Sequence, residues 1–564
     1  MPLTDDRQTA WKIHWAALIR SSAVIGAGAF FLIACSEKSQ RAPGPATHGT
    51  LVIAASADAD VLFPPLINSM QSRQVAEQIY DYLAVVGPEL NTFGDNGFLP
   101  RLAESWKWSA DSLTIAFKIN FRARWHDGVP ADANDVRYTF NVYMNPVLGS
   151  STATDLSNID SVTVEDSHTA TFWYRTRSSH QLLDATMMMI LPRHLFEKIP
   201  TDSLKEVAAS ATPIGTGRFR FKRWTRGSSL EITADTGNYR GSPGLDRVIW
   251  SVAPSAGTAV TKLFGGEADV FAALKPEDAA EAKQRSQLRV TSGPGTDYYF
   301  LAFNLRKPIF ASRELRRALT MAVDRASLVR NVFDTLAKVA VGPTVRVFPT
   351  TDTTLRQIPY DVRRANALLD SLGWRTESAQ EIRRRNGKEL SFNVIVPSSS
   401  QPRLRMAVLM QQQLSQLGVR MQIETMEFGT FQSRLQSRDF DAAVVNWHLG
   451  ATPNSLPEAW GSASAKRKGG ANYASYANPR FDAYADSAIA ARAIPASRHF
   501  FTTAYQIIID DAPAIWLTEP KTVIGLHRRI RTGPMRADAW WFDLGTWTIP
   551  KSQQIDRDRI PVDH

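Results

Sequence analysis

The chain has 564 residues, of which 44% are hydrophobic and 21% charged, with a formal net charge of +10. That balance is ordinary for a folded globular chain and excludes a disordered or collagen-like one, and the length admits two or three domains with cores of their own. A single cysteine, Cys35, excludes a disulfide framework and cysteine–metal sites.

In chain order, residues 1–34 have the parts of an export signal: a polar start closed by Arg20, an uncharged and mostly apolar run from Ser21 to Ala34, and small residues before Cys35. The run is shorter than the roughly 20 residues a spanning helix needs, which argues against a permanent transmembrane anchor. Leu32-Ile33-Ala34-Cys35 resembles the end of a bacterial lipoprotein signal, in which the cysteine is lipidated and becomes the new N-terminus. The alternative is a short anchor carrying an incidental cysteine. Residues 35–50 hold no large apolar side chain and are expected to be a flexible tether. Arg and Lys are scattered along the rest, so the basic balance reads as surface character beside an anionic membrane rather than a nucleic-acid footprint.

Strand and helix signals then alternate, as in α/β architecture. Leu113 to Ile119 and Thr169 to Tyr174 read as paired strands of a smaller, more antiparallel subdomain within residues 101–175. His126-Asp127-Gly128 reads as a turn before a helix near Asp135, and Gly215-Thr216-Gly217 as a turn opening a strand over Arg218 to Arg223. Gly257 to Phe264 reads as a helix and Ala268 to Ala272 as a strand. Tyr298 to Leu305 is a strand, with Ser312 capping a helix over Leu315, Leu319 and Ala322. Ser391 to Val396, the amphipathic stretch Arg403 to Leu417, the stop at Gly418 and alternating Val419 to Ile423 form a strand–helix–strand unit, hence two parallel strands with a right-handed crossover. Phe431 to Gln436 is helical and Asp441 to Trp447 a strand.

No catalytic constellation stands out. The ten histidines show no metal-ligand spacing, and there is no nucleophile elbow or phosphate-binding loop. No metal or cofactor is expected. The 15 tryptophans are more informative, because Trp447, Trp516, Trp540 and Trp541 fall at strand ends. Ligands bind beyond the carboxyl ends of parallel strands, where an indole offers a flat, rigid face. Each of these tryptophans is equally compatible with a place in the core.

Several motifs occur in one order. Leu102-Ala-Glu-Ser-Trp-Lys-Trp-Ser109 is followed by Phe121-Arg-Ala-Arg-Trp-His-Asp-Gly128, then Asp132 and Asn134-Asp-Val136. Pro213-Ile-Gly-Thr-Gly217, Phe303-Asn304, Arg316 to Leu319, Ala322 to Arg325 and Leu368 to Trp374 come next. Asn472-Tyr473, Tyr476, Asn478-Pro479 and Asp511-Ala-Pro513 complete the series. Over about residues 50 to 520 the chain resembles the family 5 extracytoplasmic solute-binding proteins, the dipeptide, oligopeptide and nickel receptors of ABC importers. Trp125 stands where phenylalanine is usual in the family's signature.

The resemblance implies a two-lobed periplasmic-binding-protein-like (type II) α/β fold with an extra α+β subdomain inserted in lobe one. Lobe one would comprise residues 51–82, 211–290 and 511–564, the inserted subdomain 83–210, and lobe two 291–510. Two crossings, near Val290 to Asp297 and near Asp510 to Trp516, would join the lobes. The implied function is to capture a peptide or peptide-like solute between the lobes and deliver it to the transmembrane subunits of an ABC permease. The protein would be monomeric, would bind no nucleic acid, and would sit in the periplasm or cell envelope on the Cys35 lipid. The expected ligand-binding residues are Tyr298, Tyr299, Asn304, Arg403, Asn446, Trp447, His448 and Trp516. In the family's peptide receptors an aspartate soon after the Trp447 position meets the ligand's ammonium group, whereas here no acid appears before Glu458. A buried ammonium without a carboxylate is costly, so a blocked, cyclic, sugar-conjugated or opine-like ligand is expected instead. The other functions weighed are a periplasmic hydrolase and a sensor or chaperone using the same fold without transport.

Overall fold

The computed structural model describes residues 48–376, 381–452 and 455–560. The expected leader, Cys35 and the expected tether as far as residue 47 lie outside the described residues. The expected tether ends early, because Thr50 already opens the strand Thr50–Ala55. The Thr50 N–H donates to Asp558 Oδ1 at 2.8 Å, and Asp246 accepts from the N–H groups of His48 and Gly49. Backbone donors held by carboxylates this early hold the segment in place.

The first strand group is built on Thr50–Ala55, which runs parallel to Arg247–Val252 with Ile53 opposite Trp250. Ser229–Ala234 and Phe219–Thr225 extend that side as antiparallel neighbours. In the second group, Ser391–Pro397 is parallel to both Arg420–Met426 and Ala442–His448, as the strand–helix–strand reading requires. The joining helix is Gln401–Ser415, with Met406, Ala407, Met410 and Leu414 buried on one face. It starts two residues earlier than expected, with Pro402 in its first turn, where no N–H is needed. Gly418 stops the unit at φ +72°.

The two groups share one strand, Ala514–His527. Its first half pairs with Asp297–Phe303, placing Phe300 opposite Trp516, and with Ala337–Val339. From Lys521 onward it pairs with Leu288–Pro294. The chain therefore passes between the groups at Pro294–Asp297 and at Pro520–Lys521. The first passage falls within the stretch Val290 to Asp297, and the second falls after Trp516, since Asp511 ends the helix Ile494–Asp511 and Trp516 lies within the second group. Pro520 has no N–H to give a ladder and sits where the pairing changes.

A separate four-stranded antiparallel sheet, in the order Ala103–Trp108, Thr114–Ile119, Thr169–Tyr174 and Ile159–Asp166, forms the inserted α+β subdomain. Phe117 and Phe172 meet edge-on in its core, at 5.4 Å between ring centres. The helix Ala133–Tyr143 covers it, capped by Asp132 in a reciprocal box with Asp135. Asp135 also accepts from the Trp125 indole at 3.1 Å and from the Arg193 N–H at 2.9 Å. Desolvation raises its pKa to about 6. His126-Asp127-Gly128 is a turn closed by the Gly128 N–H on the Trp125 carbonyl, with Gly128 at φ +92°. No helix of the described residues is long and apolar enough to cross a membrane.

Candidate ligand-binding site

Three strand ends of the second group bring most of the expected residues together. Tyr298 pairs with Trp447, Tyr299 with Asn446 and Asp297 with His448. Because side chains alternate along a strand, this one row divides into two faces.

On one face lie Tyr298, Trp447 and Trp516. Tyr298 is fully buried and accepts from the Trp460 indole N–H at 3.3 Å, and burial pushes its phenol pKa up. Trp447 is half-buried and stacks on Tyr473, with ring centres 5.7 Å apart and planes 12° apart. Trp516 is only 1% exposed and packs against Trp460, so it belongs to the core, and its indole nitrogen has no hydrogen-bond partner.

On the other face lie Tyr299, Asn446 and His448, with Arg403 from the first turn of the helix Gln401–Ser415. His448 is exposed, with Nδ1 3.1 Å from Asp297 Oδ1. Burial raises the Tyr299 pKa to about 12. Burial lowers the Arg403 pKa, while Tyr299 and Asp297 oppose the shift. The Arg403 guanidinium lies 5.6 Å from the Phe431 ring centre, and its Nε is buried without a partner. Asn446 Oδ1 is likewise buried and unpartnered. Asn304 stands apart at the opposite end of the strand. It is 1% exposed and donates to the carbonyls of Arg438 and Phe440 at 2.9 and 2.8 Å, which makes it a brace between segments.

Beyond the Tyr298 face lies a small, partly open pocket. Thr92, Phe93 and His180 wall it from the inserted subdomain, and Tyr298, Leu449 and Thr452 from the second strand group. No Asp, Glu, Lys or Arg lines it. His180 is 3% exposed and meets Phe93 edge-on at 4.6 Å, and neither of its ring nitrogens has a hydrogen bond of good geometry. Burial lowers its pKa to about 4, against a smaller opposing influence of the Thr92 backbone. Its imidazole is therefore neutral near pH 7. Ala451 and Thr452 also line a larger, partly open pocket, whose far side is Arg73, Glu77, Tyr82, Arg536 and Asp538. The site is thus a partly open cleft between the second strand group and the rest of the fold.

Residues 97–468 match the bacterial extracellular solute-binding proteins, family 5 Middle. The chain belongs to this family. It is 26% identical over 547 residues to the oligopeptide-binding protein AppA of Bacillus subtilis, covering 93% of this chain and 97% of that protein. The solved structure of AppA with a nonapeptide superposes with a TM-score of 0.78 at 24% identity, covering 90% of this chain and all of that one. NikZ of Campylobacter jejuni, solved with Ni(L-His), gives a TM-score of 0.78 at 22% identity and covers 88% of this chain and 99% of its own. These likenesses establish the two-lobed α/β fold, and none supports the hydrolase alternative.

The sequence reading named the strand ends at Tyr298 and Trp447 but not the residues that line the pocket beyond them. Of the eight residues it named, only Tyr298 lines the pocket. Phe93 and His180 went unnoticed because each lies in a loop without periodicity. Among the described residues no three His, Cys, Asp or Glu side chains converge to hold a metal. Glu458, the first acid after Trp447, faces away from any ligand role, since it pairs with Arg467 and accepts from the Ala471 N–H.

Proposed function

We propose that this protein is the substrate-binding receptor of an ABC importer, and that it takes a peptide or peptide-like solute with an uncharged end. Family membership supports the receptor role. AppA, similar along nearly its whole length, is an oligopeptide-binding protein, which favours peptides over other solutes. The observation that carries the ligand reading is the pocket between Tyr298 and His180, which offers aromatic and hydroxyl groups but no carboxylate. A free ammonium buried there would lose its hydration without compensation, whereas a blocked or cyclic end meets the neutral His180.

In this reading lobe one comprises residues 51–82 and 211–290 together with the chain from Lys521, the inserted subdomain residues 83–210, and lobe two residues 291–520. Closure of the lobes sequesters the cargo, and the cargo's preference for the closed form sets how far the population shifts. Cys35 carries the lipid that holds the receptor at the membrane, outside the cytoplasm. Trp447, Tyr299, Asn446, Arg403 and His448 line the approach to the pocket and contact cargo on closure.

Purification from the native host followed by mass spectrometry of the released small molecules tests this reading. Intact peptides or conjugates lacking a free α-amine are expected. Recovery of cleavage products after incubation with peptide mixtures would sink it.

A further inference from the structure

The larger pocket borders a third, smaller one on the lobe-one side, with which it shares Glu77, Tyr82, Val85 and Arg536. Arg101, Arg218 and Arg240 line this third pocket together with Asp81 and Asp543. Their charges do not balance. Asp81 is saturated: Oδ1 is 2.7 Å from Arg240 Nη2, and Oδ2 accepts from the Thr216 and Tyr239 hydroxyls at 3.0 and 2.9 Å. Glu77 is engaged by Arg73 at 2.7 Å and by the Trp541 indole at 2.7 Å, and Arg536 by Asp538 at 2.5 Å. Arg101 and Arg218 are left to share Asp543, at 3.9 and 3.5 Å, neither a close hydrogen bond. Arg218 gives Nη2 to the Arg240 carbonyl at 3.0 Å, and Arg101 gives Nη1 to the Pro100 carbonyl at 3.3 Å. One guanidinium is in excess, and the Nε atoms of Arg218 and Arg240 are buried without partners.

The local backbone accommodates this arrangement. A Cβ at Gly545 would lie 2.6 Å from Arg218 Cδ, so only glycine leaves the arginine its place. Arg101 and Arg218 both have lowered pKa values, from burial first and the Arg240 charge next. A pair of planar guanidinium groups lining one pocket suits a planar oxyanion bound through two parallel N–H···O bonds.

We propose that Arg101 and Arg218 form a carboxylate-binding subsite that receives the anionic end of the cargo. The inference rests on the receptor reading above and extends it. The cargo becomes a molecule with an uncharged end beside His180 and a carboxylate beside Arg101.

The test uses a mixed N-acetylated nonapeptide library made twice, once as free acids and once as C-terminal amides, passed over the immobilised protein and read by mass spectrometry. Wild type is expected to retain the acids about tenfold better than the amides, and Arg101→Gln and Arg218→Gln to reduce that preference to less than twofold. Melting temperatures without ligand separate this role from a structural one. Of two arginines sharing one carboxylate, either can be replaced by glutamine with an unchanged or raised melting temperature, whereas a structural brace cannot. Equal retention of acids and amides by wild type overturns the subsite while leaving the receptor reading intact. If neither library is retained, the receptor reading for linear peptides fails and acetate decides the subsite alone. Thermal protection by tens of millimolar acetate in wild type, lost in both variants, supports it, and equal protection in all three overturns it.

Discussion

A Cβ placed on Gly295 would lie 2.8 Å from the carbonyl oxygen of Pro520. The two passages between the strand groups therefore touch, and they do so at the one residue type that permits it. Thr522 Oγ1 would be 3.3 Å from the same Cβ, so the crowding comes from both sides of the Pro520–Lys521 turnover. Gly295→Ala is expected to push the passages apart and to cost about 1–3 kcal/mol, the usual range for overpacking. Chemical denaturation measures the loss, and X-ray scattering with and without cargo reads whether the closed form is still reached. An unchanged denaturation midpoint would show that the crossing is looser than its geometry.

The two tryptophans expected at the site separate by burial. Trp516 lies within the core beside Trp460, so Trp516→Ala should cost about 3–5 kcal/mol. Trp516→Phe should cost much less, because the indole N–H it removes has no partner. Trp447 is half-buried against Tyr473. Trp447→Ala should weaken cargo retention while lowering stability by only about 1 kcal/mol, the scale of one aromatic pair. A collapse of the Trp447→Ala melting temperature would assign that side chain to the core as well.

Asn304 offers a contrasting case. Its amide spans two backbone carbonyls at 2.9 and 2.8 Å in a buried position. Asn304→Ala leaves both acceptors unsatisfied and is expected to cost about 2–4 kcal/mol with no change in cargo affinity for the folded fraction. Calorimetric titration beside thermal melts checks both halves of this prediction.

The inserted subdomain carries a pH dependence of its own. Burial, reinforced by Asp155, raises the Asp184 pKa to about 8. An unfolded aspartate titrates near 3.9, so between about pH 4 and pH 8 the folded state holds the extra proton. Stability from this group is therefore fully present below pH 4 and declines as pH rises through 8. Asp184→Asn should flatten that decline and stabilise the protein at pH 8–9 by about 1–2 kcal/mol. Melting curves from pH 5 to pH 9 compare the slopes, and parallel curves for wild type and variant would refute the assignment.

Much of the fold is legible because local rules and tertiary packing agree in its central units. Ser391–Pro397, Gly418 and Ala442–His448 follow from β-branched runs and a glycine with positive φ. Several motifs that identify the family turn out to be buried polar locks. Trp125 reaches Asp135, and both Tyr476 and Asn478 donate to Asp511 Oδ2 at 2.8 Å. Such locks are specific in sequence because each needs particular donors and acceptors at fixed places. The site was less legible. Alternation predicts that neighbours face opposite ways, but not which face a helix will cover, so Trp516 and Trp447 looked alike. Asn304 sits in a motif yet serves the backbone. Arg101, Arg218 and Asp543 come from three distant segments, and no spacing announces their meeting.

The fastening of Thr50 has a mechanical corollary. Arg529 lies between Asp269 and Asp558, at 2.8 and 2.6 Å, and also holds the Thr50 carbonyl at 2.9 Å, with all three charged groups buried. The first strand and the closing segment Asp556–Arg559 are therefore fastened to each other through one buried cluster of charges, so that loosening either end of the described chain means breaking the same clasp.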